Sequence, residues 1–196
     1  VEFVETRFPV RVESLGLATD SGGAGTFRGG LGYRKEIRAL HDATFMSVAD
    51  RSILSCWGVR GGRAGTPFRV TIDPGGPAER VMPGLCDWEP VAAGEVIRIE
   101  TTGGGGWGDP LAREPWRGAL DVRQGKVSPE VAAADYGVVL PDAGAVADGD
   151  DLAADEAATA ALRARLAAER GEPAMFDRGP GYPRLSGGAT RAEVDD

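Results

Sequence analysis

Histidine is nearly missing from this chain. His41 is the only one in 196 residues, so a Ser-His-Asp triad or a histidine-based metal centre could be completed only through that single side chain. Cysteine is scarce too: Cys56 and Cys86 are too few for a disulfide framework, and a separation of 30 residues is not that of a zinc site, which predicts buried free thiols. No stretch reaches the roughly 20 uninterrupted apolar residues of a membrane span, and residues 1–12 alternate charged with apolar side chains instead of showing a basic-then-apolar export signal. A soluble, cytoplasmic protein with no membrane contact is expected. Positive charge is in deficit, 22 basic against 30 acidic residues for a net −8, which disfavours the phosphates of nucleic acids and anionic lipids. Small molecules and other proteins are the better partners. Lys35 and Lys126 are the only lysines among those cations, which fits a GC-rich genome and carries no chemistry.

What the chain has is glycine. Its 30 glycines are about twice the ordinary share of roughly 7%, and they gather at residues 22–32, 58–65, 75–76 and 103–108 instead of spreading as disorder would spread them. Between the clusters lie strand-like runs. Phe68-Arg69-Val70-Thr71-Ile72 and Glu95-Val96-Ile97-Arg98-Ile99-Glu100 alternate apolar with polar side chains, as half-buried strands do. Asp73-Pro74-Gly75-Gly76-Pro77 is a turn signal, so residues 67–82 read as a hairpin. Residues 5–17, 32–40 and 44–49 are further candidate strands, the last two separated by a turn at His41-Asp42.

Beyond the last glycine cluster the period changes. Ser128 suits a helix N-cap, Pro129 the first helical position and Gly137 the stop. Asp150 or Asp151 is the expected cap of a second, Ala-rich helix running to about Arg170, with Gly171 and Pro173 ending it. Charge marks the same border: residues 1–140 hold 18 acids and 16 bases, residues 141–196 hold 12 and 6. Such a tail needs a surface to cover it, or it is mobile. The expected class is α+β, mainly β: a β-sandwich or barrel-like body over residues 1–140, then C-terminal helices in an acidic tail, 141–196, that ends as an extended arm from Phe176 to Pro183.

The densest site-like segment is Asp20-Ser21-Gly22-Gly23-Ala24-Gly25-Thr26-Phe27-Arg28-Gly29-Gly30. Consecutive glycines let backbone N–H groups face an anion or a carbonyl oxygen, with Arg28 as a fixed charge and Asp20 and Ser21 as polar ends. Neither dinucleotide nor P-loop spacing is present, and a purely structural loop is the competing reading. Gly103-Gly104-Gly105-Gly106-Trp107-Gly108-Asp109-Pro110 follows a strand directly; it fits a ligand-facing loop and a loop packed under a neighbouring polypeptide equally well, with Trp107 as anchor. Asp109 reads equally as a turn starter or a carboxylate for chemistry. Arg51, beside Asp50, could orient a carboxylate ligand or form an internal ion pair. Cys56 beside Trp57 fits packing better than nucleophilic chemistry.

These clusters, in this order, resemble the hydantoinase B/oxoprolinase family, the B-type subunit of ATP-dependent hydantoinases, oxoprolinases and acetone and acetophenone carboxylases. The matching elements are Glu5-Thr6-Arg7-Phe8-Pro9-Val10, Asp20 to Gly25 with Arg28-Gly29-Gly30, Asp50-Arg51, Trp57-Gly58 with Gly61-Gly62, and Gly94-Glu95-Val96-Ile97. Gly103 to Pro110, Asp121-Val122 with Gly125, Val127-Ser128 and Tyr136-Gly137-Val138 continue the series, so the resemblance covers about residues 1–140. It is to the family's carboxyl-terminal portion. The amino-terminal portion, where the family's divalent metal and hydrolytic residues are expected, is not in this sequence, and the chain is expected to be a separately encoded, cleaved or truncated piece. Where the family commonly has Pro-Ser-Lys, this sequence reads Pro83-Gly84-Leu85, so a cation able to meet substrate is missing there.

The resemblance implies a hetero-oligomer. A hydantoinase A-type subunit would use ATP and Mg to phosphorylate the amide or enol oxygen, because an unstrained lactam is a poor electrophile, and the B-type subunit would complete ring opening or carboxylation. The amino-terminal portion of the B-type subunit and the A-type subunit are the implied partners, and this chain alone would bind no cofactor or metal. Its loops, Asp20, Ser21, Gly22, Gly23, Arg28, Gly29, Gly30, Arg51, Gly103 to Gly106 and Asp109, would line the cavity or the boundary between subunits. An assembly module without catalytic groups is the alternative.

Overall fold

The computed structural model describes residues 1–141 and 154–186. The chain opens with a short helix, α1 (Glu2–Arg7), where residues 5–17 read as one strand. The reason is local: Pro9 forces Phe8 into an extended conformation, so the helix must end there and the strand cannot begin until after it. The helix is then tied to the strand that follows, because the Glu5 carboxylate accepts from the Val12 N–H at 2.8 Å.

Strands β1 (Val10–Leu17), β2 (Tyr33–Ala39), β3 (Ala43–Val48), β4 (Gly58–Val59), β5 (Arg69–Ile72), β6 (Arg80–Met82), β7 (Leu85–Val91) and β8 (Val96–Glu100) follow in order. Five of them form one antiparallel sheet in the order β1-β2-β8-β5-β6. The β5–β6 hairpin has the expected turn, with Val70 opposite Met82 and Asp73 and Gly75 both at positive φ. The Asp73 carboxylate accepts from the Ala78 N–H and closes the loop. β3 and β7 pair as a separate ribbon, and Ala39, Ile72 and Val91 join Phe45, Met82 and Ile97 in a core between sheet and ribbon. This is the two-layered antiparallel body of an α+β fold. The β7 strand was not legible in Leu85-Cys86-Asp87-Trp88-Glu89-Pro90-Val91, which lacks alternation and carries Trp88 at φ 58 in an irregular register.

Helices occupy the carboxyl side. A 3-10 turn (Pro110–Ala112) leads to α2 (Pro115–Arg123), hidden in the sequence by Gly118, which is needed because a Cβ there would press on Val138. Helix α3 (Pro129–Tyr136) has the expected ends: the Ser128 hydroxyl accepts from Val131 N–H and Gly137 stops the helix at φ 61. Ala132, Tyr136 and Val138 form the second core with Ala24 and Val127. Helix α4 (Glu156–Arg170) begins at Asp155, whose carboxylate accepts from the Ala158 N–H; a cap at Asp150 or Asp151 lies outside the described residues.

Helix α4 of the tail finds its surface on the chain itself. The Thr159 hydroxyl, buried, accepts from Val139 N–H, Arg163 donates to the carbonyls of Tyr136 and Arg113, and Arg170 donates to those of Ala134 and Asp135. Polar anchors thus hold a helix whose apolar face is mostly alanine. The expected arm is only partly extended. Phe176–Asp177 forms β9 against β4, and α5 (Gly181–Ser186) is helical.

Candidate functional site

The three largest glycine clusters converge into one layer. Gly23 N–H donates to Gly104 O at 2.8 Å, Gly104 N–H to Gly30 O at 2.8 Å, Gly103 N–H to Thr66 O at 3.1 Å and Gly106 N–H to Arg63 O at 2.9 Å. Gly29 N–H closes its own loop on Gly23 O, and Gly65 N–H reaches Cys56 O. Backbone meets backbone so closely that a Cβ on Gly103 would overlap the Ser21 carbonyl and one on Gly105 the Trp57 carbonyl. Donors expected to face an anion are therefore spent on the chain's own carbonyls at Gly23, Gly29, Gly103, Gly104 and Gly106. Gly22, Gly30 and Gly105 belong to the same layer. Trp107 anchors its edge through paired hydrogen bonds with Phe27 and a tilted ring contact at 5.7 Å.

The charged members of the expected site have separate partners. Arg28 donates through Nε to Asp121 at 3.2 Å and through Nη1 to its neighbour's carbonyl, Gly29 O. Arg113 reaches the same carboxylate at 2.8 Å, so the buried Asp121 sits between two guanidinium groups. Asp20, at φ 63, accepts from the Ser128 N–H at 2.7 Å and ties the glycine loop to α3. Ser21 is buried, donating to Ala18 O and accepting from Gly32 N–H. Asp109 is a turn starter, accepting from Leu111 N–H at 2.9 Å. Arg51 stands apart from these at φ 58, donating to Ser55 O at 3.2 Å beside an open groove. The structure thus unites the glycines and distributes Arg28, Arg51 and Asp109 among different surroundings.

Four roles went unread in the sequence. Asp121 and Arg113 carry the buried ion-pair network, and the only signal was a lone aspartate within a mostly apolar helix face. The Arg178 guanidinium lies 4.9 Å from the Trp57 ring and 4.6 Å from that of Tyr182, a stack invisible without the fold. Burial pushes the Tyr136 phenol up, and its hydroxyl has no hydrogen-bond partner among the described residues. Burial also raises the Asp135 carboxyl against the opposing pull of Arg63 and Arg170.

Metal chemistry has little to work with here. No group of three or more His, Cys, Asp or Glu side chains suited to a metal ion occurs among the described residues, and His41 is exposed. Cys56 and Cys86 are free and half-buried, less enclosed than expected. No described helix is long and apolar enough to cross a membrane.

A two-layered antiparallel body joined to helices by a stacked glycine layer is a defined architecture, and its relatives are known. The chain belongs to the hydantoinase B/oxoprolinase family, whose profile matches residues 1–110. It is 36% identical over 172 residues to the caprolactamase beta chain of Pseudomonas jessenii, covering 84% of this chain and 28% of that one. A putative D-/L-hydantoinase B-type chain of a Pseudomonas species is 31% identical over 143 residues, 72% of this chain and 24% of its own. The solved nucleotide-free structure of acetone carboxylase superposes with a TM-score of 0.70 at 26% identity, covering 86% of this chain and 26% of that one. The chain spans about a quarter of the length of these two curated relatives.

Proposed function

We propose that this chain is the carboxyl-terminal part of a B-type subunit in an ATP-dependent cyclic-amide hydrolase of the hydantoinase, oxoprolinase or caprolactamase type. The observation that carries the reading is the similarity to the caprolactamase beta chain across 84% of the sequence. In this role the glycine layer serves as a rigid frame. Segments 20–30 and 103–109 hold one another by backbone hydrogen bonds and, with the separate loop that carries Arg51, face the rest of the assembly at a shared active site or a boundary between subunits. The chain's own residues would shape and orient. ATP and Mg would act on an A-type partner, and any divalent metal would be held by the remainder of the B-type subunit, in the cytoplasm.

A second reading has its own support. The acetone carboxylase superposition favours a subunit of a ketone carboxylase, with the same division of labour. Co-expressing the B-type polypeptide that contains this chain with its A-type partner separates the two. Mg-ATP-dependent opening of hydantoin, 5-oxoproline or caprolactam is the expected outcome; activity confined to acetone with bicarbonate would replace the hydrolase reading with the carboxylase one, and an assembly inactive on both would leave a non-catalytic module. Arg28→Ala is a poor probe of chemistry in that assay, because it breaks the Asp121 network.

A further inference from the structure

A groove runs beside Ser52 and Ile53. One lobe, about 750 Å³, is bounded by Arg51, Trp57, Leu85 and Leu185, and the other, about 710 Å³, by Phe68, Arg69, Met82, Leu85 and Arg184. Ser52, Ile53 and Leu85 line both, so the lobes adjoin. The charge in this groove runs against the whole. In a chain of net −8, Arg69 and Arg184 have no ion-pair partner among the described residues, and Arg51 has only the Ser55 carbonyl. Among the described residues, Asp50 is the single acid lining either lobe. Glu100, opposite Arg69 in the sheet, is already held by Arg34 at 2.7 Å. Elsewhere in the sheet arginines are matched, as in Arg80 with Glu95 and Arg98 with Glu36.

Apolar surface adjoins these cations. Leu85 is 69% exposed and pairs with Val48, 79% exposed, at the end of the β3–β7 ribbon; Met46 and Trp88 are exposed further along it. Apolar side chains displayed together on this scale mark an interface, and unpaired arginines beside them call for carboxylates.

We propose that this groove and the adjoining end of the β3–β7 ribbon dock a partner subunit through an acidic segment that also carries apolar side chains. Its carboxylates would pair with Arg69, Arg184 and Arg51, and its apolar side chains would cover Leu85 and Val48. The proposal rests on the chain's being one part of a larger enzyme. Binding and turnover are separate readouts, so either can fail while the other stands.

Leu85→p-benzoylphenylalanine in the enzyme purified with its partners provides the first test. Irradiation should crosslink Leu85 to a segment of another polypeptide that mass spectrometry reads as rich in Asp and Glu. A crosslink to a neutral or basic segment, to the remainder of its own polypeptide, to a second copy of this chain, or none at all overturns the proposal. The second test titrates the chain with a blocked eight-residue peptide alternating Leu and Glu, followed by tryptophan fluorescence from Trp57 and Trp88. Saturable binding is expected, weakened at least tenfold by the double variant Arg69→Glu, Arg184→Glu and by 0.5 M salt, with a Leu-Lys peptide inert. Both arginines are exposed, so an unchanged urea midpoint verifies the variant's fold. Binding indifferent to the charge reversal, or 4-phenylbutyrate displacing the peptide as a small-ligand site would allow, sinks it.

Discussion

Between sheet and ribbon the chain is held by side chains: Ile72 is fully buried among Ala39, Val91 and Ile97. Between segments 22–30, 58–65 and 103–108 it is held by backbone, with N–H groups donating across segments and no room for a methyl group at Gly103 or Gly105. The two regions differ in what can give way. A side-chain core loses contacts when a residue shrinks and recovers some by relaxation, whereas a backbone layer has no rotamers to adjust and can only be pushed apart. Ile72 is replaceable in kind. Gly105 is not.

The largest effect should therefore come from the smallest addition. Gly105→Ala is expected to cost about 4 kcal/mol or more, seen as failure to fold or collapse of the urea midpoint, because the methyl group would overlap the Trp57 carbonyl. A midpoint equal to that of the parent would dissolve the contrast. Ile72→Ala should cost about 2–5 kcal/mol by lost burial and cavity formation, measured in the same way.

Asp135→Asn tests the clasp between α3 and α4. Burial raises the Asp135 carboxyl above its unfolded value, so the folded state holds its proton more tightly and stability falls as pH rises through the window between the two. The Asn variant should equal the parent below that window and exceed it above; urea midpoints across pH 3 to 8 would show the crossing, and parallel curves would refute the assignment. Gly30→Ala should be nearly silent, within about 0.5 kcal/mol, since Gly30 is exposed and a Cβ there meets open space. A large loss at Gly30 would mean that the layer is sensitive throughout rather than at its close approaches.

Much of this architecture was legible in the residues. The glycine clusters, the hairpin turn at Asp73 to Pro77 and the Ser128 and Gly137 ends of α3 are local devices, acting within a few residues, and they appear where the sequence puts them. Helix α2 was hidden because Gly118 breaks the local pattern for a tertiary reason, its approach to Val138, and strand β7 because its residues do not alternate and Trp88 stands at φ 58. The family, too, was readable from ordered motifs over about residues 1–140, and the family profile matches residues 1–110 of them.

The roles of the charges were not. Arg28 and Asp121 lie 93 residues apart, and nothing in either neighbourhood names the other. Glycine-rich sequence by itself determined that backbone would come close to something; only the folded path decided that the something is another stretch of the same backbone, because an N–H group donates to whichever acceptor the chain brings within reach. The same path left Arg69 and Arg184 without an ion-pair partner among the described residues, a fact of position that composition cannot hold.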